Sequence, residues 1–318
     1  MVPRNSQISR AWIFLFFFVS GATGLIYEVV WTRLLTQIMG NTHYSIATVL
    51  TAFMGGLALG SFFGGKIIDR AFNPLAAYAI LEAGIGIYCL LIPSFIELAF
   101  PLFQWVYLNL GDSYNQTSLV RFLVCGVLLL IPATFMGATL PVLSKFVSSD
   151  ENYIGKDVGT LYSVNTFGAV VGASTSAFVF MRLLGVQTTI GFAAAANIGI
   201  AVIIYLLFKP PLKEKLEYLT PVDKVPLLHK RELLILLSFA VAGLIALVYQ
   251  MAWTRILSLL LGSSVYAFSL ILTVFILGLA LGTVVASRYL TGMSNLIKYY
   301  GLNQIIIGLS SLSIIPLF

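Results

Sequence analysis

Charge is what this sequence has least of. Asp, Glu, Lys and Arg make up 9% of its 318 residues, while 59% are hydrophobic. Soluble domains carry roughly 25% charged residues, so a soluble fold of this length would lack the polar surface to cover its apolar mass. Cysteine is limited to Cys89 and Cys125 and histidine to His43 and His229, each isolated. Without CxxC or metal-ligand spacing there is no zinc site or disulfide scaffold to expect, and no metal or other cofactor is expected. The 18 basic residues exceed the 12 acidic ones, yet they are scattered through short segments between apolar runs. Nucleic acid is therefore not an expected partner.

What the sequence has instead is long apolar runs. A transmembrane helix needs about 20 apolar residues, and runs of that kind lie at 11–38, 43–65, 75–98, 118–146, 158–184, 188–208, 233–260, 265–287 and 297–318. Pro132 and Pro141 fall inside the fourth and predict a kink there. Residues 99–117, with Trp105, Tyr107 and Tyr114, read as a longer surface connection. The expected class is all-α: a polytopic membrane helix bundle of about nine spans, with the lipid bilayer as its surroundings.

The basic residues orient it. Counting alternate connections from the N-terminus, fourteen of the 18 lie on one side: Arg4, Arg10, Lys66, Arg70, Lys145, Lys156, Lys209, Lys213, Lys215, Lys224, Lys230, Arg231, Arg288 and Lys298. The positive-inside rule makes that side, and the N-terminus, cytoplasmic. The expected location is the plasma (inner) membrane, crossed many times. Arg33, Arg121, Arg182 and Arg255 remain, near the opposite ends of spans. The stretch 209–232 carries Pro210, Pro211, Pro221, Pro226 and ten charges, and reads as a cytoplasmic linker between a first half, 1–208, and an incomplete second half, 233–318.

A shift of 222 residues aligns the chain with itself. LIYEVVWTRLL at 25–35 meets LVYQMAWTRIL at 247–257, and FMGGLALG at 53–60 meets FILGLALG at 275–282. Seventeen of the forty positions 21–60 are identical in this register. Apolar helices match by chance at Leu and Val, but not at Tyr, Trp-Thr-Arg and a distant Gly-Leu-Ala-Leu-Gly together. The recurrence argues against a cleaved signal peptide at the N-terminus. Six spans separate the copies, an even number, so the copies face the same way, as in transporters built from two parallel six-helix halves. The second copy supplies three of its six expected spans, which reads as a truncated product or a split gene.

Four segments together resemble a known family: SGATGLIYEVVWTRLL (20–35), TVLTAFMGGLALGSFFGGKIIDR (48–70), PATFMGATLPVLSKFV (132–147) and GTLYSVNTFGAVVGASTSAF (159–178). They resemble the membrane region of the fused major-facilitator/spermidine-synthase-like proteins. That resemblance implies a multi-helix membrane domain, often followed by a cytoplasmic aminopropyltransferase-like domain that uses decarboxylated S-adenosylmethionine and a polyamine in true synthases. This chain has no Gly-rich strand–turn–helix segment and no acidic pair in a soluble loop, so it is not expected to transfer an aminopropyl group itself. Gly65 to Arg70 also resembles the start of the G-x-x-x-D-R loop of the major facilitator superfamily, although Ala71-Phe72-Asn73-Pro74 replaces its later basic residues. Asp69 and Arg70 read as a gate latch or as an ordinary charged turn.

Two acids are the sharpest candidates for chemistry. Glu28 and Glu82 lie within apolar runs, where a carboxylate must face the bundle interior, pair or take a proton. Their aligned partners are Gln250 and Gln304, which keep the shape and lose the charge. These four positions form the expected substrate or proton site; the alternative is a structural pair of Glu28 with Arg33. Trp31 and Arg33, with Trp253 and Arg255, recur in both copies. From Arg10 to Arg33 a helix rises about 34 Å, so these residues read as interfacial anchors, as an outer gate or as an anion site. Gly56, Gly60 and Gly64, with Gly278 and Gly282, recur at helical spacing and read as close packing faces. Asn165 and Asn197 read as inter-helix hydrogen-bond formers or as substrate contacts.

Two functions fit. One is a transporter-like domain that handles a small cationic solute such as a polyamine. The other is a membrane anchor or scaffold for a soluble aminopropyltransferase-like domain.

Overall fold

The computed structural model describes residues 10–40, 42–68, 73–109, 114–147, 154–209, 211, 230–262, 264–289 and 295–314. Every regular element among them is helical: α1 (Arg10–Met39), α2 (Thr42–Ile68), α3 (Pro74–Asn109), α4 (Tyr114–Val147), α5 (Ile154–Thr175), a π-helical turn (Ser176–Phe180), α6 (Met181–Phe208), α7 (Lys230–Leu261), α8 (Ser264–Tyr289) and α9 (Leu296–Ile314).

Local chemistry sets several boundaries. Gly40 and Gly262 follow α1 and α7 with φ of +64° and +65°. Each amide donates back to the carbonyl four residues earlier, Thr36 and Ser258, at 3.1 Å. A left-handed residue ends a helix this way, and glycine adopts it without steric cost. Asn73 starts α3: its Oδ1 accepts from the amides of Leu75 and Ala76 at 3.0 and 3.2 Å, with Pro74 at the first helical position.

Seven helical stretches are long and apolar enough to cross a membrane: Arg10–Met39, His43–Ile67, Pro74–Asn109, Gln116–Val147, Asp157–Phe208, Glu232–Leu261 and Val265–Ala286. The sequence predicts about nine. Two differences account for the gap. The predicted runs 158–184 and 188–208 are joined through the π turn into one path of 52 residues, broken where Gly185 takes φ 77° and ψ 171°. A continuous helix of that length would rise about 78 Å, well over twice the hydrocarbon thickness of about 30 Å. And α9, with Lys298, Asn303, Gln304 and three serines, is not among the seven.

A third difference concerns residues 99–117. Instead of a surface connection, α3 continues to Asn109, with Pro93 and Pro101 inside it, and the Asn109 side chain donates to the Trp105 carbonyl at 2.8 Å. Trp105 and Tyr107 are exposed on this last part of the helix.

The helices pack chiefly as α2 on α4, α1 on α5, and α3 on α4 and α6; α5 on α8 joins the first six helices to the rest. The buried core forms two clusters. One contains Tyr27, Trp31, Phe53, Cys89 and Leu129, and reaches Phe268 and Leu272 on α8. The other contains Ile13, Phe17, Tyr78, Leu143 and Ile204. Around them the surface is apolar: Leu98, Leu108, Leu183 and Leu259 are each more than 70% exposed. Hydrocarbon solvates such a surface; water does not.

Glycine decides the closest approaches. A Cβ at Gly56, Gly60 or Gly64 would overlap the α4 backbone or the Ala133 and Ala138 side chains, and one at Gly137 would overlap the Leu57 backbone. The Ser61 hydroxyl donates to the Gly137 carbonyl at 3.1 Å across the same seam. Gly278 and Gly282 differ from the expectation of a packing face. Added Cβ atoms there would meet nothing within 4 Å, because among the described residues no helix takes on α8 the place that α4 takes on α2.

A candidate polar site in the helix core

The centre of the bundle holds a directed chain of polar groups. Tyr27 on α1, Glu82 on α3 and Asn197 on α6 are all essentially inaccessible. The Tyr27 hydroxyl donates to Asn197 Oδ1 at 3.1 Å, and Asn197 Nδ2 donates to Glu82 Oε2 at 2.6 Å. The carboxamide is thereby fixed in orientation, because its oxygen accepts and its nitrogen donates. Tyr78 lies one turn before Glu82 on the same helix, and Ser20 approaches from α1; both sit beside the carboxyl group. The Tyr78 hydroxyl and Glu82 Oε1 nevertheless make no hydrogen bond among the described residues. One carboxyl oxygen is thus held by the Asn197 donor, and two hydroxyls lie beside the group.

Glu28 is fully buried on α1, and neither carboxyl oxygen has a hydrogen-bond partner among the described residues. The Thr32 hydroxyl, one turn on, donates at 3.0 Å to the Glu28 main-chain carbonyl and not to its carboxyl group. Arg33 is exposed, and the ion pair found among the described residues joins Arg10 to Asp157 at 3.7 Å. The structural pair of Glu28 with Arg33 is therefore not formed. A buried carboxylate with nothing to meet it is strongly disfavoured.

The aligned glutamines diverge. Gln250 on α7 is buried, with both side-chain polar atoms unpartnered, and Thr254 donates to its main-chain carbonyl at 2.7 Å, as Thr32 does to Glu28. Gln304 is half-buried and lines a cavity of about 460 Å³ between α7 and α9, with Leu237, Val241 and Tyr300. The structure thus joins Glu82 to Asn197 and Tyr27, and places Glu28, Gln250 and Gln304 outside that network.

The gate and anchor candidates also separate. Trp31 is fully buried, stacked on Tyr27 with ring centroids 5.8 Å apart and edge-on to Phe53 at 6.4 Å. It is a core residue and not a lipid-facing anchor. Its indole is held inside because α1 is enclosed by α2, α5 and α6. Trp253 is half-buried, and Arg33 and Arg255 are exposed. Arg255 on α7 is hydrogen-bonded to the His43 imidazole at the start of α2, a residue the sequence left without a role. Asp69 and Arg70 lie outside the described residues.

Asn165 Nδ2 donates to the Phe17 carbonyl at 2.9 Å, tying α5 to α1. Tyr27 and Tyr78 were not singled out in the sequence, though both carry a signal: Tyr27 adjoins Glu28, and Tyr78 precedes Glu82 by one helical turn.

No family model matches the chain. It is 25% identical over 223 residues to the Polyamine aminopropyltransferase 2 of Streptomyces coelicolor, a match covering 69% of this chain and 38% of that protein. It is 25% identical over 169 residues to the Polyamine aminopropyltransferase 1 of the same organism, covering 53% of this chain and 28% of the relative. The chain therefore spans well under half the length of these curated relatives.

Proposed function

We propose that this chain is a transporter-like membrane domain that handles a small cationic solute, a protonated amine of the polyamine kind. The observation that carries the reading is a pair of fully buried carboxyl groups, Glu28 and Glu82, inside a bundle whose outer surface is apolar. A protonated amine supplies both the charge and the N–H donors that carboxylates in such a place need. The similarity to two polyamine aminopropyltransferases supports the same solute class.

The fuller reading has nine spans in two same-facing halves of the major-facilitator kind, with 209–232 as a cytoplasmic linker, in the inner membrane with the N-terminus inside. Its support is the 222-residue sequence register, in which Gly40 and Gly262 close α1 and α7 with the same φ and the same amide-to-carbonyl bond. In this reading the chain itself transfers no aminopropyl group.

The test is uptake of labelled spermidine by liposomes containing the purified chain. Glu28→Gln and Glu82→Gln should each lower the initial rate roughly tenfold, the size expected when a hydrogen bond to a charged group is lost, at unchanged protein incorporation. Undiminished uptake in both variants would remove the basis for the proposal.

The names of the relatives favour a second reading, in which the helices anchor an aminopropyltransferase carried on another polypeptide or another part of a longer one. This reading expects a soluble aminopropyltransferase to co-purify with the chain in detergent, and to be lost when 209–232 is replaced by a Gly/Ser linker of equal length. If no such activity co-purifies, the anchor reading fails and the transport reading is untouched.

A further inference from the structure

Arg121 stands apart from the core network. It lies on α4, seven residues from the start of that helix, a rise of about 10 Å. Its Nε is sealed from solvent without a hydrogen-bond partner. The ion pair found among the described residues joins Arg10 to Asp157 and does not involve Arg121. Arg121 is half-buried, and a guanidinium with one N–H sealed from water favours an acceptor beside it.

The surroundings provide a place for one. Arg121 lines a cavity of about 450 Å³ together with Ile38, Phe100, Phe103, Gln104 and Tyr107. These residues come from the C-terminal ends of α1 and α3 and the first turns of α4, so the cavity opens at one end of the bundle. Exposed Trp105 and Tyr107 lie at the same level, where aromatic side chains mark the boundary between headgroups and hydrocarbon. One part of the wall is polar, with the guanidinium, a carboxamide and a phenol. The other part, Ile38, Phe100 and Phe103, is apolar.

We propose that this cavity binds a phosphate-bearing anion, with Arg121 as its charge partner and Gln104 and Tyr107 as neutral donors. Arginine is suited to this because its planar fork of N–H groups matches two phosphate oxygens at once. The apolar wall fits the glycerol and first methylenes of an anionic phospholipid, and free phosphate shares the headgroup chemistry without that stem. The site is separate from the Glu28 and Glu82 groups and does not depend on the transport reading.

The experiment measures phosphatidylglycerol retained by the full chain in detergent, by native mass spectrometry, against phosphatidylcholine and against inorganic phosphate as competitor. Phosphatidylglycerol should be retained over phosphatidylcholine. Arg121→Gln should weaken that retention roughly tenfold, the scale of one charge-assisted contact. Arg182→Gln, at a basic residue that does not line the cavity, should leave it unchanged. Displacement of the lipid by millimolar inorganic phosphate would identify the soluble anion as the occupant; no displacement would identify the lipid. Equal retention by Arg121→Gln, or an equal loss in Arg182→Gln, would overturn the site. Should Arg121→Gln fail to fold, the double variant Gln104→Leu with Tyr107→Phe must lower retention, and if it does not the proposal fails.

Discussion

The two stretches aligned by the 222-residue register begin with nearly the same words and end in different surroundings. In α1–α3, Gly21 lies against the Asn165 backbone of α5, Gly60 against the Thr134 backbone of α4, and Gly86 against Ile198 and the Ala194 carbonyl of α6. Their counterparts Gly243, Gly282 and Gly308, on α7, α8 and α9, have nothing within 4 Å of an added Cβ. The same contrast runs through the aromatic and polar residues. Trp31 is enclosed where Trp253 is half-buried, and Glu82 is bonded to Asn197 where Gln304 faces a cavity. A small-residue stripe is thus a capacity for close approach, and the partner helix decides whether it is used. In lipid this distinction is sharp, because a glycine face without a partner simply meets hydrocarbon and loses little.

Matched substitutions test the comparison, and the largest expected effect is at the glycine seams. Gly60→Leu drives a side chain into the α4 backbone, and should cost about 3 kcal/mol or more by overpacking, enough to lower the yield of monodisperse protein on gel filtration in detergent. Gly282→Leu should stay within about 0.5 kcal/mol, as surface substitutions do. Equal losses from the two would mean that α8 has a partner the comparison overlooks.

Next in size are the polar positions. Asn197→Ala removes the donor to Glu82 and the acceptor for Tyr27 in one step. Thermal denaturation in detergent should show a loss of about 1–3 kcal/mol from the stranded buried groups. Gln304→Ala should change the midpoint far less. A reversed order would sink the claim that the polar network belongs to the first six helices.

The smallest effect is expected where the two regions meet. The Ser269 hydroxyl on α8 donates to the Ala173 carbonyl on α5 at 2.5 Å. Ser269→Ala should cost about 1 kcal/mol, the net worth of one such bond, and cross-linking between cysteines placed on α5 and α8 should become less efficient. No change in either readout would show that apolar packing alone joins α5 to α8.

Much of this organisation is legible in the sequence, because helices in lipid satisfy their own backbone and leave their length in the hydropathy pattern. The Asn-Pro pair at 73–74 and the glycines at 40 and 262 mark ends that the structure uses. Gly185 falls between two predicted spans and is where the long helical path breaks. The extension of α3 past Pro101 was not legible, since proline and surface aromatics read as a connection. Nor were the partners of the candidate site. Asn197 is 115 residues from Glu82, and His43 is 212 from Arg255. Helical periodicity describes one helix and its faces, whereas these meetings depend on which helix lies beside which. Burial of Trp31 was hidden for the same reason: its place along α1 is at the level of an anchor, but its direction points inward.

The Ala173 carbonyl accepts two hydroxyls, Ser176 at 3.1 Å from the π turn that follows α5 and Ser269 from across the seam. A main-chain oxygen is present whatever side chain residue 173 carries, so α5 cannot lose the acceptor by point mutation. The donor has no such protection, and a larger residue at 173 would push the two helices apart. Saturation mutagenesis of this contact should therefore give a lopsided tolerance map, with position 269 restricted by chemistry and position 173 by volume.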